Sequence, residues 1–143
     1  MTLEAAALHA SCVAREGAGV LLLGPSGSGK SDLALRLIGR GFILVGDDRV
    51  TLTDGLLRPV PSLAGLLEVR GLGVVRLPFL PQARLALVVR LAEFERLPAP
   101  EHHESAAPLI RVNPFAATAP DIVGLALDCA LGRAHQIAGA FAA

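Results

Sequence analysis

The strongest constraint on this chain is residues 20–31, Val-Leu-Leu-Leu-Gly-Pro-Ser-Gly-Ser-Gly-Lys-Ser. An apolar run breaks into Gly24, Pro25, Ser26, Gly27, Ser28, Gly29, Lys30 and Ser31, and a helical pattern follows. Every fixed position of G-x-x-x-x-G-K-[ST], the phosphate-cradling P-loop, is filled. Glycines let the backbone bend around phosphates and turn successive N–H groups inward, and the helix adds the positive end of its dipole. Lys30 is positioned to reach the β- and γ-phosphates and Ser31 to offer its hydroxyl to Mg²⁺. A strand before the motif and a helix after it separate this segment from an ordinary Gly/Ser turn. The motif specifies phosphate binding but not the reaction.

The rest of the composition narrows the class. With 143 residues the chain is expected to form one domain, residues 1–143, with a real core. Thirteen basic and thirteen acidic side chains cancel, so no electrostatic footprint for nucleic acid is present. Aromatic residues are five Phe with no Trp or Tyr, which argues against nucleic-acid stacking platforms and leaves Leu, Val, Ile and Ala to build the core. Cys12 and Cys129 are not part of a C-x-x-C pair and read as reduced apolar fillers. No run approaches a membrane span and no leader pattern opens the chain, so a soluble, cytoplasmic protein is expected.

Taken in order, Thr2–Arg15 reads as a strand carrying His9, and Glu16-Gly17-Ala18-Gly19 turns it into Val20–Leu23. Ser31–Arg40 has helical periodicity, with Gly41 at C′. Phe42–Val45 is a short buried-type strand ending in Gly46-Asp47-Asp48. Strand, helix and strand make a right-handed βαβ unit with parallel strands, so the end of the second strand emerges beside the P-loop. Asp47 and Asp48, 17 residues beyond Lys30, then face the phosphates, one toward metal and phosphate and the other toward a nucleophile. Val50–Thr53 and Leu56–Val60 form a hairpin around Asp54-Gly55. In Leu66–Val75, Glu68 and Arg70 share one face of an extended segment, followed by two glycines. Arg84–Leu91 is a core strand. Residues 93–108 form an exposed mobile loop whose His102-His103 pair lacks a third ligand nearby. Leu109–Val112 is one more short strand, and a final helix spans about residues 120–132.

The P-loop, the Asp47-Asp48 pair and Leu67-Glu68-Val69-Arg70-Gly71-Leu72-Gly73 together resemble the catalytic domain of HPr kinase/phosphorylase, the bacterial enzyme acting on a serine of the phosphocarrier protein HPr. The strong motifs run from about His9 to Gly73. The resemblance implies an α/β P-loop kinase domain of the phosphoenolpyruvate carboxykinase-like type, a mixed sheet with flanking helices. It implies ATP and Mg²⁺ as cofactors, HPr as partner in the phosphotransferase system, and a homo-oligomer, often a hexamer. Carried over, Lys30 is the P-loop lysine, Ser31 and Glu68 are metal ligands, and His9 is an active-site histidine. Asp47 and Asp48 supply the general base and metal-site charge; the expected order puts Asp47 on the serine proton and Asp48 nearer the metal, although the sequence does not fix it. Arg96 corresponds to an arginine on the mobile loop that assists transfer.

Three departures qualify the resemblance. The family's N-terminal domain has no counterpart, as in a short form. Ala10 follows His9 where the family usually has Gly. Arg111-Val112-Asn113-Pro114-Phe115 replaces a Pro-x-Arg-Pro-Gly-Arg type loop tied to phosphate removal, so kinase activity is expected and phosphorylase activity is not. Two other readings use the same P-loop: a small-metabolite kinase, whose arginine-rich lid is missing, and a non-catalytic nucleotide-binding module, which would not need Asp47, Asp48 and Glu68.

Overall fold

Period-two alternation along the central strands sorts the apolar residues onto two faces of one sheet. In the computed structural model, which describes residues 6–142, Val20 and Leu22 pack on one face and Leu21 on the other. Val13 and Cys12 divide in the same way on the neighbouring strand, and Leu87 and Val89 against Val88 on the next. The largest fully buried side chains are all Leu and Val.

The strands are β1 (Ala6–Leu8), β2 (Ser11–Arg15), β3 (Ala18–Leu23), β4 (Ile43–Gly46), β5 (Val50–Thr53), β6 (Leu56–Pro59), β7 (Leu66–Val69), β8 (Gly73–Arg76), β9 (Ala83–Leu91) and β10 (Leu109–Val112). The helices are α1 (Lys30–Ile38) and α2 (Ala119–Ala130). The main sheet runs β1-β5-β6-β9-β3-β2-β4. β10 lies parallel along the end of β9, on the edge whose beginning pairs antiparallel with β6. β3 is parallel to β9 and antiparallel to β2, which is antiparallel to β4. This is a mixed sheet with both helices packed on the Val20–Leu22 face.

The expected βαβ unit is therefore modified. β3 and β4 do run the same way, but β2 lies between them and α1 crosses over it. The first strand is also not continuous. The chain bends at His9, and the Ala10 N–H leaves the ladder to donate to the Asp48 carbonyl at 3.1 Å. That bend sends β1 to β5 and β2 to β3 and β4. Residues 2–5 of the expected first strand lie outside the described residues.

Two short turns follow the dihedral preferences of their residues. Glu16-Gly17 (φ +53° and +80°) and Asp54-Gly55 (φ +53° and +76°) have the left-handed pairs that suit two-residue hairpins. α1 ends in a Schellman arrangement, with Phe42 N–H to the Leu37 carbonyl at 3.1 Å and Gly41 N–H to the Ile38 carbonyl at 3.2 Å. Gly41, at φ +97°, occupies C′. Leu66–Val75 is not one extended segment but the separate hairpin β7–β8, turned at Arg70–Leu72 where Gly71 (φ +85°) and Gly73 (φ +123°) break the strand. Arg70 thus leaves the face it was expected to share with Glu68. Among the described residues, no helix is long and apolar enough to cross a membrane.

Cys12 is fully buried, and burial pushes its thiol far above the ordinary cysteine range. In a Cys129→Ser variant, the remaining thiol should react with an aromatic disulfide reagent only in denaturant; reaction in native buffer would show this sheet face to be open. The folded thiol keeps its proton while the unfolded one ionises above about pH 8.5. Stability from this source is complete below that pH and falls as pH rises, by up to about 1.4 kcal/mol per pH unit. Urea titrations should show that slope disappearing in Cys12→Ala.

Candidate active site

The P-loop is formed where β3 gives way to α1. Gly27 (φ +79°) and Gly29 (φ +100°) take left-handed conformations, and Ser28 N–H closes a turn on the Pro25 carbonyl at 3.0 Å. A Cβ at Gly24 would stand 2.5 Å from Ser28 Oγ, so any other residue there must displace the Ser28 hydroxyl. Lys30, the first residue of α1, is 7% exposed. Its Nζ donates to the carbonyls of Gly24 (2.6 Å) and Pro25 (3.1 Å), which holds the ammonium beneath the loop. Ser31 follows on the helix, and Pro25 and Ser26 form the outer rim.

Four elements converge on Asp47. It lies just past β4 and is 7% exposed. Asp47 Oδ1 accepts Ser11 Oγ at 2.6 Å from the start of β2 and Ser31 Oγ at 2.8 Å from α1. Oδ2 lies 3.0 Å from Ser31 Oγ and accepts the Glu68 N–H of β7 at 3.3 Å. Burying a carboxylate is costly unless its oxygens are satisfied, and here both are.

Asp48 has the opposite environment. Its φ is +65°, and Arg49 N–H bonds the Asp47 carbonyl at 2.7 Å, a three-residue γ-turn centred on Asp48. The turn throws the side chain outward, leaving it 61% exposed, with Oδ1 2.7 Å from His9 Nε2. A carboxylate only accepts, so Nε2 carries the proton. The expected order of the pair is thus inverted: Asp47, not Asp48, stands at Ser31. Simple strand alternation fails here because β4 has ended and the γ-turn resets the direction of the next side chain.

The other expected residues are placed unevenly. Glu68 reaches the centre through its backbone. Arg96 lines a cavity of about 910 Å³ bounded by residues 93–101, β10, α2 and residues 134–141, which none of residues 24–31 lines. From the same loop, Glu93 and Phe94 line the cleft that opens at Gly27 and Ser28, and Arg96 does not. The His102 backbone bridges to Pro108, and the His103 ring bonds Ser105 Oγ at 2.8 Å, so the loop uses the His103 side chain internally. Glu101 and Arg111 pair at 2.9 Å, and the guanidinium holds the Glu101 carboxyl below its ordinary range.

Sequence reasoning missed Ser11 and Arg36. Ser11 is fully buried, and the one signal was a hydroxyl set in an otherwise apolar strand. Arg36, on α1, donates to the carbonyls of Pro114 and Ala116 and so ties the β10–α2 loop to the helix that begins the P-loop.

The donors present suit Mg²⁺. Ser31 Oγ and Asp47 offer hard oxygens on one point, and among the described residues no cluster of three His, Cys, Asp or Glu side chains competes for a softer metal. One hydroxyl and one carboxylate leave room for phosphate oxygens and water, as a nucleotide-bound Mg²⁺ requires.

A glycine-rich loop capping a helix, with its lysine and serine faced by a buried aspartate from a strand of the same direction, defines a P-loop phosphate-binding α/β domain. The chain belongs to the HPr Serine kinase C-terminal domain family, which matches residues 2–104. It is 39% identical over 101 residues to HPr kinase/phosphorylase 1 of Oceanobacillus iheyensis, covering 62% of this chain and 33% of that protein. It is 46% identical over 77 residues to HPr kinase/phosphorylase of Clostridium novyi, covering 51% and 25%. The chain therefore spans a quarter to a third of these relatives. A solved structure titled as the Hpr(Ser) kinase/phosphatase from Coxiella burnetii has the same fold, with a TM-score of 0.70, 24% identity, and coverage of 84% of this chain and 87% of that one.

The left-handed conformation of Asp48 yields a test that needs no activity. Asp48→Ala and Asp48→Gly both remove the carboxylate, but only glycine takes φ +65° freely. In urea unfolding the Gly variant should be more stable than the Ala variant by about 1 kcal/mol. Equal stability would show that the turn relaxes when its His9 contact is lost.

Proposed function

We propose that this domain transfers the γ-phosphoryl group of ATP to a serine hydroxyl of HPr in the bacterial cytoplasm. The observation that carries the reading is the division of labour between adjacent carboxylates, one buried on the P-loop serine and one exposed on a histidine. A phosphate-binding module without turnover needs Lys30 and the loop, but it has no use for an outward carboxylate held in a strained turn.

In this reading the loop amides and Lys30 bind and orient the β- and γ-phosphates. Ser31 and Asp47, the latter braced by the Glu68 N–H, would hold Mg²⁺, which would supply charge neutralisation at the phosphate oxygens. Ser11 keeps Asp47 aimed at Ser31. Asp48 takes the proton of the serine hydroxyl: His9 Nε2–H holds Oδ1, which leaves Oδ2 to accept. Two adjacent carboxylates in unlike surroundings are suited to unlike roles. Serine is a weak nucleophile at neutral pH, and a positioned base commonly adds about 10²–10⁴-fold.

The end of β10 and the β10–α2 loop support the forward direction of transfer. Arg111 is engaged by Glu101, and Asn113 Oδ1 accepts Phe115 N–H at 3.0 Å, so this loop presents no free arginine pair to hold phosphoserine for the reverse reaction. The relatives' shared designation as kinase/phosphorylase supports HPr as acceptor, and the retained site supports the kinase half.

The test is mass spectrometry of HPr after incubation with this protein, Mg²⁺ and ATP, where one acid-stable phosphate is expected. Asp48→Asn should lower turnover by about 10²–10⁴-fold with ATP affinity within a few-fold, whereas Lys30→Ala should weaken ATP itself. Full turnover in Asp48→Asn would remove the base assignment. HPr left unmodified while ATP binds would redirect the search to small hydroxylated acceptors.

A further inference from the structure

A second cleft, of about 580 Å³, opens directly from the P-loop. Gly27 and Ser28 form one wall, residues 91–94 (Leu91, Ala92, Glu93 and Phe94) a second, and Asn113, Pro114 and Phe115 a third. We propose that this cleft is the nucleobase subsite, in which the base of a nucleoside triphosphate stacks on Phe115 and Phe94 while its phosphates lie in the loop. The proposal rests on the nucleotide-dependent reading above and adds to it the residues that tell a nucleotide from a bare polyphosphate.

Three observations converge on it. The first is the use of aromatics. The chain has five Phe and no Trp or Tyr, yet Phe94 and Phe115 stand 57% and 77% exposed at this cleft. Exposed rings beside a phosphate site offer the flat, polarisable face on which any base stacks.

The second is the mounting of Phe115. Its N–H is taken by Asn113 Oδ1, Ala116 N–H bonds the Asn113 carbonyl at 3.2 Å, and Arg36 holds the carbonyls of Pro114 and Ala116. A Cβ built on Gly29 would lie 3.6 Å from Phe115 Cε1. The backbone carrying the ring is thus held beside the last glycine of the P-loop by a loop whose polar groups are already committed, so presenting the ring costs little further backbone ordering.

The third is Ser28. Its Oγ is buried without a hydrogen-bond partner, at the junction between loop and cleft. An orphan hydroxyl there is suited to a ribose or α-phosphate oxygen, the part of a nucleotide that joins base to phosphates. The larger cavity beside α2 shares Glu93 and Phe94 with this cleft but touches no P-loop residue.

The absence of tryptophan makes the test direct. Phe115→Trp creates a single-tryptophan protein, and its emission should change on titration with Mg²⁺ and ATP but not with Mg²⁺ and inorganic tripolyphosphate. By equilibrium dialysis, Phe115→Ala and Phe94→Ala should each weaken ATP about 5- to 100-fold while tripolyphosphate stays within two-fold of the parent. Equal losses for both ligands would mean that the rings shape the loop and do not receive the base. Unaltered ATP affinity in both alanine variants, or a silent tryptophan in a protein that binds ATP, would place the base elsewhere. A parent protein that binds neither ligand would overturn the nucleotide reading itself, and the subsite with it.

Discussion

The hydrogen bond between Ser31 and Asp47 is the contact on which the architecture converges. It joins the first turn of α1 to the end of β4, across an intervening strand, and its carboxylate is further held by Ser11 and the Glu68 amide. A buried carboxylate needs every one of these donors, because an unsatisfied charge in an apolar core is among the most costly defects a fold can carry. The polar centre therefore specifies the packing around it. β2 must begin where Ser11 reaches Oδ1, and β7 must lie where its amide reaches Oδ2.

Much of this was legible in the sequence because phosphate chemistry leaves few choices. The P-loop fixes a strand and a helix by its glycines, Asp54-Gly55 fixes a hairpin, and Gly41 fixes a helix end, each through backbone conformations that few residues adopt. The parts that were not legible depend on long-range pairing. Nothing local in Ser11–Arg15 states that the strand inserts between β3 and β4, and nothing in Arg84–Leu91 states that it pairs with both β6 and β10. The order of Asp47 and Asp48 was beyond sequence for a related reason: it turns on one left-handed residue, and aspartate tolerates that conformation without announcing it. Arg96 was placed by resemblance through a loop, where similarity of type carries the least positional information.

Rigidity and strain are distributed unevenly around the site. The phosphate side is braced: Lys30 is held by loop carbonyls, and Arg36 ties the β10–α2 loop to α1. The opposite side is open, with Asp48 and His9 both more than 40% exposed. On the proposed reading, in which the second substrate is a whole protein, this uneven build has a reason. Preorganisation favours the ligand with few contacts, whereas exposure lets a serine on a folded partner approach.

The strand inserted between β3 and β4 also acts as a ruler. Neighbouring strands stand about 4.8 Å apart, so the phosphate strand and the acid strand are separated by about twice that distance, whatever side chains β2 carries. Substitutions along β2 alter the core but leave this spacing untouched, since backbone hydrogen bonds set it. Position 11, at the head of the ruler, is the exception: it is the β2 side chain bonded to Asp47. A different polar residue there would retune the charge felt by Asp47 without moving either strand, which makes Ser11 the natural dial for adjusting this site while its scaffold stays fixed.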